Sequence, residues 1–345
     1  MLSDAVSTWA KHYEFNMSID EMTIQVAPNL KYQVWGFDGQ VPGPLIHVRE
    51  DDDVTVHVTN NTTLPHTIHW HGLYQTDNWR NDGVAGISEP LPGILPGETH
   101  AYHWVAEKPG TMWYHCHVNA NEHTGIRGMW GPIVIDPRHK TTLEKKVTKD
   151  VIMMMSSWES ASANKYGAGG GPNDKRNYFS INARSFPLDQ PLRVKHGDLV
   201  RVRFIGAGNT MHAMHSHGHD MLLTFKDGLP IKAPYYVDTQ LIIPGSHNDV
   251  FIRMTHHAGR FIFHDHIDYQ STNDGMFPGG AVTVIEYAGT PKDNWYIWKD
   301  VKYNPDFFYS ESLKKGYGKI DQPFFRGQPL GRRHHRRHRR HRDKD

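Results

Sequence analysis

Along most of the chain, apolar and polar positions alternate with a period of two over short segments, the pattern of half-buried strands. Leu45-Ile46-His47-Val48 leads into Val54-Thr55-Val56-His57-Val58, and Asp51 to Asp53 predict an acidic turn pairing the two strands. Leu199 to Phe204 and Ala281 to Ile285 alternate in the same way, and Ile133-Val134-Ile135 stops at Asp136-Pro137. Met153-Met154-Met155 continues Val151-Ile152 and predicts a buried strand rather than a metal-binding run. Pro-Gly pairs at 92–93, 96–97, 109–110, 244–245 and 278–279 break the chain between these segments. Many short strands separated by turn signals predict an all-β fold of β-sandwich domains.

The pattern also repeats. Residues 39–72 and 183–218 each run strand, acidic or Gly-Asp turn, strand, polar loop, then His-x-x-His-x-His-Gly. The histidines are 66, 69 and 71 in one copy and 212, 215 and 217 in the other, a constant offset of 146. His115-Cys116-His117 and His264-Asp265-His266 follow at an offset of 149. A duplication accounts for this and predicts domains at 1–145 and 146–290, meeting in the charged stretch His139 to Asp150. Gly167, Gly169, Gly170, Gly171 and Pro172 predict a long loop early in the second domain. A C-terminal extension (291–331) and a basic Arg/His-rich tail (332–345), expected to be disordered, complete the division.

Composition narrows the chemistry. Of 345 residues, 26 are His and one is Cys, which excludes an internal disulfide framework and any four-cysteine metal site. No run of 18 apolar residues exists, so no membrane-spanning helix is expected. Seven Arg and no acid lie between Arg332 and Arg342, so the rest of the chain is mildly acidic despite a formal charge of +1. Nothing in the body suggests nucleic-acid binding. The first residues show no continuous apolar core of an export signal.

Residues i and i+2 on a strand face the same side. His69 with His71, His115 with His117, His215 with His217 and His264 with His266 therefore make four matched pairs. One His-x-His is ordinarily a surface or core feature; four at repeated offsets are not. Eight imidazoles exceed what one zinc takes, and imidazole also suits copper, iron and nickel. Cys116 points away from its two neighbours and is free to bind a different metal. With His66, His123 and Met129 it makes a set of two histidines, a cysteine and a methionine, the blue-copper type.

HTIHWHG at 66–72, YHCHVNANEHTGIRGMWG at 114–131, HAMHSHG at 212–218 and FHDH at 263–266 resemble the copper-binding signatures of multicopper oxidases. The resemblance covers roughly residues 30–290. It is strongest to the two-domain, small laccase-like branch, which is related to copper nitrite reductases. It implies two cupredoxin-like Greek-key β-sandwich domains and four coppers per subunit. His66, Cys116, His123 and Met129 match the type 1 ligands. His69 and His215 match the type 2 ligands. His71, His115, His117, His217, His264 and His266 match the type 3 ligands. Members of this branch are typically homotrimers, with trinuclear sites between the first domain of one subunit and the second of its neighbour.

The implied activity is laccase-like: one-electron oxidation of a donor at the type 1 copper, coupled to four-electron reduction of O2 to water at the trinuclear cluster. Cys116 would carry electrons and Asp82 would relay protons, although Asp82-Gly83 is also an ordinary turn pair. Glu89, Asp77 and Asp220 are secondary candidates for the relay. The donor is left open between a small reducing substrate, metal ions included, and a redox protein. The alternatives are a nitrite reductase, a cuprous or ferrous oxidase, or a non-enzymatic copper-binding protein. The resemblance implies a periplasmic or secreted location, and the missing export signal leaves a cytoplasmic one open. Two departures stand out. Asp265 replaces the cysteine in the second copy, so one blue copper is expected, in the first domain. His123 follows Cys116 by seven positions rather than five. His219 is expected to support the neighbouring His217, and Met276 to be structural.

Overall fold

The computed structural model describes residues 10–76, 78–166 and 175–293. It contains four sheets. The first is ordered Leu30–Phe37, His12–Ala27, Asp53–Asn60, Thr99–Val105. The second is ordered Ile46–Arg49, Trp130–Asp136, Gly110–His115, His69–His71. The third has six strands: Tyr178–Ile181, Lys149–Trp158, Leu199–Gly206, His247–Arg253, Met221–Lys226, Leu229–Val237. The fourth has five: Leu192–Val194, Val282–Tyr287, Arg260–Asp265, His212–Ser216, Thr239–Ile242. Each half of the chain thus builds one pair of sheets, and the fold is all-β with cupredoxin-like sandwiches. Both halves start alike: His12–Ala27 lies parallel to Asp53–Asn60, and Lys149–Trp158 parallel to Leu199–Gly206.

Most predicted strands form. The segments at 133–135, 151–155, 199–204 and 282–285 all lie in strands, and Met153, Met154 and Met155 are buried. The predicted pair across Asp51 to Asp53 does not. Ile46–Arg49 pairs with Trp130–Asp136, whereas Asp53–Asn60 pairs with His12–Ala27 and Thr99–Val105 in the other sheet. The turn is an arch across the sandwich. Asp52 is buried inside it, and its carboxylate accepts the backbone N–H groups of Lys11 (3.0 Å) and Arg49 (2.8 Å). Alternation is the same for a hairpin and an arch, so the pattern cannot choose the partner.

The halves meet along a seam that is apolar on one side and charged on the other. Trp158, Tyr178, Met154 and Ile205 of the second half join the core of the first. Nearby, Arg203 donates to both carboxylate oxygens of Asp150 (2.7 and 2.9 Å), to Asp249 (3.2 Å) and to the Thr111 hydroxyl (2.7 Å). Thr111 in turn donates to Asp249 (2.5 Å). Arg203 is 2% exposed and Asp249 1%, so these charges hold one another inside the protein. Among the described residues no helix is long and apolar enough to cross a membrane. The predicted glycine-rich loop (167–172), the tail and nearly all of the extension lie outside the described residues.

Candidate metal centre

The deepest functional residues lie in the first sandwich. His66 is held by a short bridge to Ile94, with Ile94 N–H donating to the His66 carbonyl at 2.8 Å. Cys116 follows the strand Gly110–His115, and His123 ends the single-turn helix Ala120–His123. The loop between them is closed by Cys116 N–H to the Met129 carbonyl (3.1 Å) and Met129 N–H to the His123 carbonyl (3.2 Å). Cys116 Sγ lies 3.3 Å from His123 Nδ1 and 3.7 Å from His66 Nδ1, and the two imidazole nitrogens are 3.2 Å apart. The other ring nitrogen of His66, Nε2, sits 2.8 Å from the Thr62 hydroxyl. That hydroxyl has its own acceptors in Asn60 Oδ1 and the Leu64 carbonyl, so it accepts a bond from Nε2–H and leaves the Nδ1 lone pair free.

His66, Cys116, His123 and Met129 are all buried. Burial lowers His66 to about 3 and His123 to about 4, so both rings are neutral with lone pairs available. The same burial pushes the Cys116 thiol up to about 12. A thiolate there needs a cation beside it, and a metal is what displaces such a proton. Two neutral imidazoles and one thiol in mutual reach, with the thioether of Met129 buried on the same loop, fit copper.

The paired histidines sit at or near strand ends. His69 and His71 lie on a three-residue strand against Gly110–His115, with His69 opposite His115. One nitrogen from each of His69, His71 and His115 lies within 4.8 Å of the others. The His117 ring is 5.6 Å from that of His69. In the second half, His215 is opposite His264, its ring is 5.0 Å from His217 and 5.4 Å from His266, and His217 Nε2 is 3.2 Å from His264 Nε2.

Backbone carbonyls orient both quartets in the same way. His69 Nδ1 meets the Asp82 carbonyl (2.8 Å), and His215 Nδ1 the Asp238 carbonyl (3.0 Å). His115 Nδ1 meets the Cys116 carbonyl (3.0 Å), and His264 Nδ1 the Asp265 carbonyl (2.9 Å). A carbonyl oxygen only accepts, so each Nδ1 carries the proton and each Nε2 is left as a ligand atom. Thr124 and Ser271 repeat a further contact, donating 2.6 Å bonds to the carbonyls of Cys116 and Asp265.

Two acids flank the quartets. Asp82 Oδ1 is 3.3 Å from His69 Nδ1, and Asp238 Oδ2 is 3.4 Å from His215 Nδ1. Gly83 makes the first approach possible: its φ is +78°, and a Cβ there would overlap the Ile68 carbonyl. Sequence reasoning missed Asp238. It follows His215 by 23 positions where Asp82 follows His69 by 13, so the repeat carries no signal for it. Among the described residues, no ring contact joins the first quartet to the second. His117, His217 and His266 are exposed, so each quartet opens outward.

The second half keeps the interior position but changes its chemistry. His212 Nδ1 bonds Asp265 Oδ2 at 2.7 Å, both fully buried. Asp265 Oδ1 accepts the N–H groups of Ala213 and Ile267, each at 3.0 Å. Met276, expected to be structural, is 72% exposed. His219 bonds the His217 carbonyl through Nδ1 (2.9 Å) and the Tyr287 hydroxyl through Nε2 (2.6 Å). Glu89 is buried against the Tyr102 hydroxyl, which also accepts the Ile68 N–H, Asp220 is exposed, and Asp77 lies outside the described residues.

Fold and site together define a class: an all-β protein of cupredoxin-like sandwiches with a copper-type ligand set. Two family models, both described as multicopper oxidase, match residues 18–140 and 155–282, and the chain belongs to that family. A solved structure described as multicopper oxidase mgLAC is 61% identical, with a TM-score of 0.85, covering 92% of this chain and 99% of that one. The blue copper oxidase from Nitrosomonas europaea is 49% identical, with a TM-score of 0.84, covering 93% and 100%. Laccase-4 of Oryza sativa subsp. japonica is 29% identical over 294 residues, 80% of this chain and 49% of the rice protein. The chain spans about half the length of the curated relatives it matches.

Proposed function

We propose that the protein is a laccase-like copper oxidase that couples one-electron oxidation of a donor to reduction of O2 to water. The observation that carries this reading is Cys116. Its sulfur belongs to the buried His66–His123 set, while its sequence neighbours His115 and His117 belong to the outward-facing quartet. Bound copper supplies one-electron chemistry at the buried set and, as a three-metal cluster, multi-electron chemistry with O2. In this reading His66, Cys116, His123 and Met129 hold a type 1 copper. His69 and His215 hold a type 2 copper. His71, His115, His117, His217, His264 and His266 hold a type 3 pair. That makes four coppers per chain, with the domains divided near residue 145.

The chain's own residues have clear tasks. Cys116 links the two sites through a few covalent bonds to either neighbour. Burial of His66 and His123 excludes water from the donor-side set. Asp82, with its side chain 38% exposed, lies between solvent and the Nδ1–H of His69, where its carboxylate can pass protons from water to the quartet edge. Each quartet supplies half of an eight-histidine site, and the two open outward from one chain. This supports a homotrimer in which the first half of one subunit faces the second half of the next. The likeness to laccases supports action outside the cytoplasm.

Copper stoichiometry on the loaded protein, with optical and paramagnetic spectra, tests the reading. Four coppers per chain with an intense blue band, type 1 and type 2 signals, and donor-dependent O2 uptake are expected. Two coppers per chain, one blue and one type 2, would overturn it in favour of nitrite reduction at a single type 2 copper.

A further inference from the structure

In this fold an electron donor needs an edge of the buried ligand set, yet His66 is 0% and His123 only 4% exposed. What covers them is Trp35, itself 0% exposed, with its ring 4.5 Å from His123 and 5.3 Å from His66. Trp35 is covered in turn by Tyr166 from the second half of the chain. The two rings stack at 4.6 Å with an interplanar angle of 13°, and Tyr166 is 37% exposed. An unbroken aromatic column therefore runs from solvent through Tyr166 and Trp35 to His123.

The column is built and fastened. Gln33 N–H donates to the Ala163 carbonyl (2.9 Å), and Trp35 N–H to the Arg127 carbonyl (3.0 Å). Arg127, fully buried, donates to the carbonyls of Gln33 and Lys165, which brackets Tyr166 from the adjacent residue. Its guanidinium carbon lies 4.9 Å from the Tyr166 ring centre and 5.3 Å from that of Tyr32. Glu122 balances its charge at 3.3 Å.

We propose that Tyr166 is the docking face for a planar aromatic donor and that electrons reach the buried set through the Tyr166–Trp35 stack, not by contact with a histidine ligand. The inference rests on reading His66, Cys116, His123 and Met129 as a blue copper set. One electron leaves the donor, crosses the two rings without oxidising either, and reduces the cupric ion to cuprous. A phenolic donor releases its proton to water. Tyr166 is thus a donor-contacting residue and Trp35 a positioning residue for His123.

The test is anaerobic bleaching of the blue band by hydroquinone and by ferrocyanide, in wild type, Tyr166→Leu and Tyr166→Phe. Tyr166→Leu should slow bleaching by hydroquinone about 2- to 10-fold, the worth of one aromatic stacking contact. Bleaching by ferrocyanide should change less, and Tyr166→Phe should keep the wild-type rate. Copper content, blue absorbance and reduction potential should stay unchanged in both variants. Tetranitromethane should nitrate Tyr166 in the full chain, with or without copper, as read by peptide mass. An unchanged or faster hydroquinone rate in Tyr166→Leu, or no nitration, overturns the proposal. A wild type with no blue band instead overturns the reading beneath it.

Discussion

The two halves of this chain carry the same histidine edge around different interiors. Both present four imidazoles, two of which in each half tie their Nδ1 protons to backbone carbonyls, and both repeat the hydroxyl contact of Thr124 and Ser271. Behind that edge the first half has His66, Cys116 and His123, three groups whose lone pairs converge. The second half has His212 and Asp265, which satisfy each other and two backbone N–H groups. A base aimed at a base invites a cation, whereas an imidazole aimed at a carboxylate is complete without one. A convergent His-Cys-His set and a buried hydrogen-bonded pair can thus hold up the same outer edge.

Cys116→Ser should break the contrast most completely. Serine offers no soft ligand, so the blue absorption should vanish, one copper per chain should be lost, and donor-dependent O2 uptake should fall to background. Asp265→Cys should not create a second blue centre, since no described residue takes the places of His123 and Met129; copper counting checks this. Asp265→Ala should leave the blue band intact and cost about 3–5 kcal/mol, because His212, Ala213 and Ile267 lose a buried acceptor together. Urea unfolding of the metal-free chain measures it, and His212→Leu on that background should recover part of the loss.

Asp82→Asn and Asp238→Asn sharpen the comparison at the edge. Both acids sit beside an imidazole Nδ1, and loss of such a partner typically costs about 10- to 100-fold in metal affinity or activity. Metal affinity should suffer similarly in both. A larger drop in O2 turnover for Asp82→Asn alone would assign proton delivery to the first half.

The smallest effect separates two buried carboxylates. Asp265 has an imidazole and two N–H donors. Glu89 has the Tyr102 hydroxyl at 3.0 Å and His100 only at 3.9 Å, and burial raises it to about 7. Between its ordinary value of 4.5 and 7 the folded chain binds more protons at Glu89 than the unfolded chain does. Stability must therefore fall as pH rises through that window, by about 2 kcal/mol from pH 5 to pH 7. Glu89→Gln should flatten this slope in urea midpoints taken at the two pH values.

Much of this architecture is legible in the sequence because ligand chemistry is local. A strand's two-residue period puts His69 beside His71, and the same period turns Cys116 inward between His115 and His117. What stays hidden depends on partners chosen in three dimensions. The arch at Asp52 alternates just as a hairpin would. Asp238 reaches His215 from a loop whose length differs from that of Asp82. Tyr166 lies on Trp35 only because the second half folds back onto the first, and no motif joins residues so far apart.

The seam around Arg203 has a geometric consequence. A head-to-tail contact between identical subunits closes into a ring only when each copy turns the next by a whole fraction of a circle; otherwise it grows as a helix. In the proposed trimer one quartet is the head and the other the tail, so the angle between them within a chain sets that turn. In that trimer Arg203, Asp150, Asp249 and Thr111 would act as the mitre, and loosening them should yield open or mixed oligomers before it harms either sandwich.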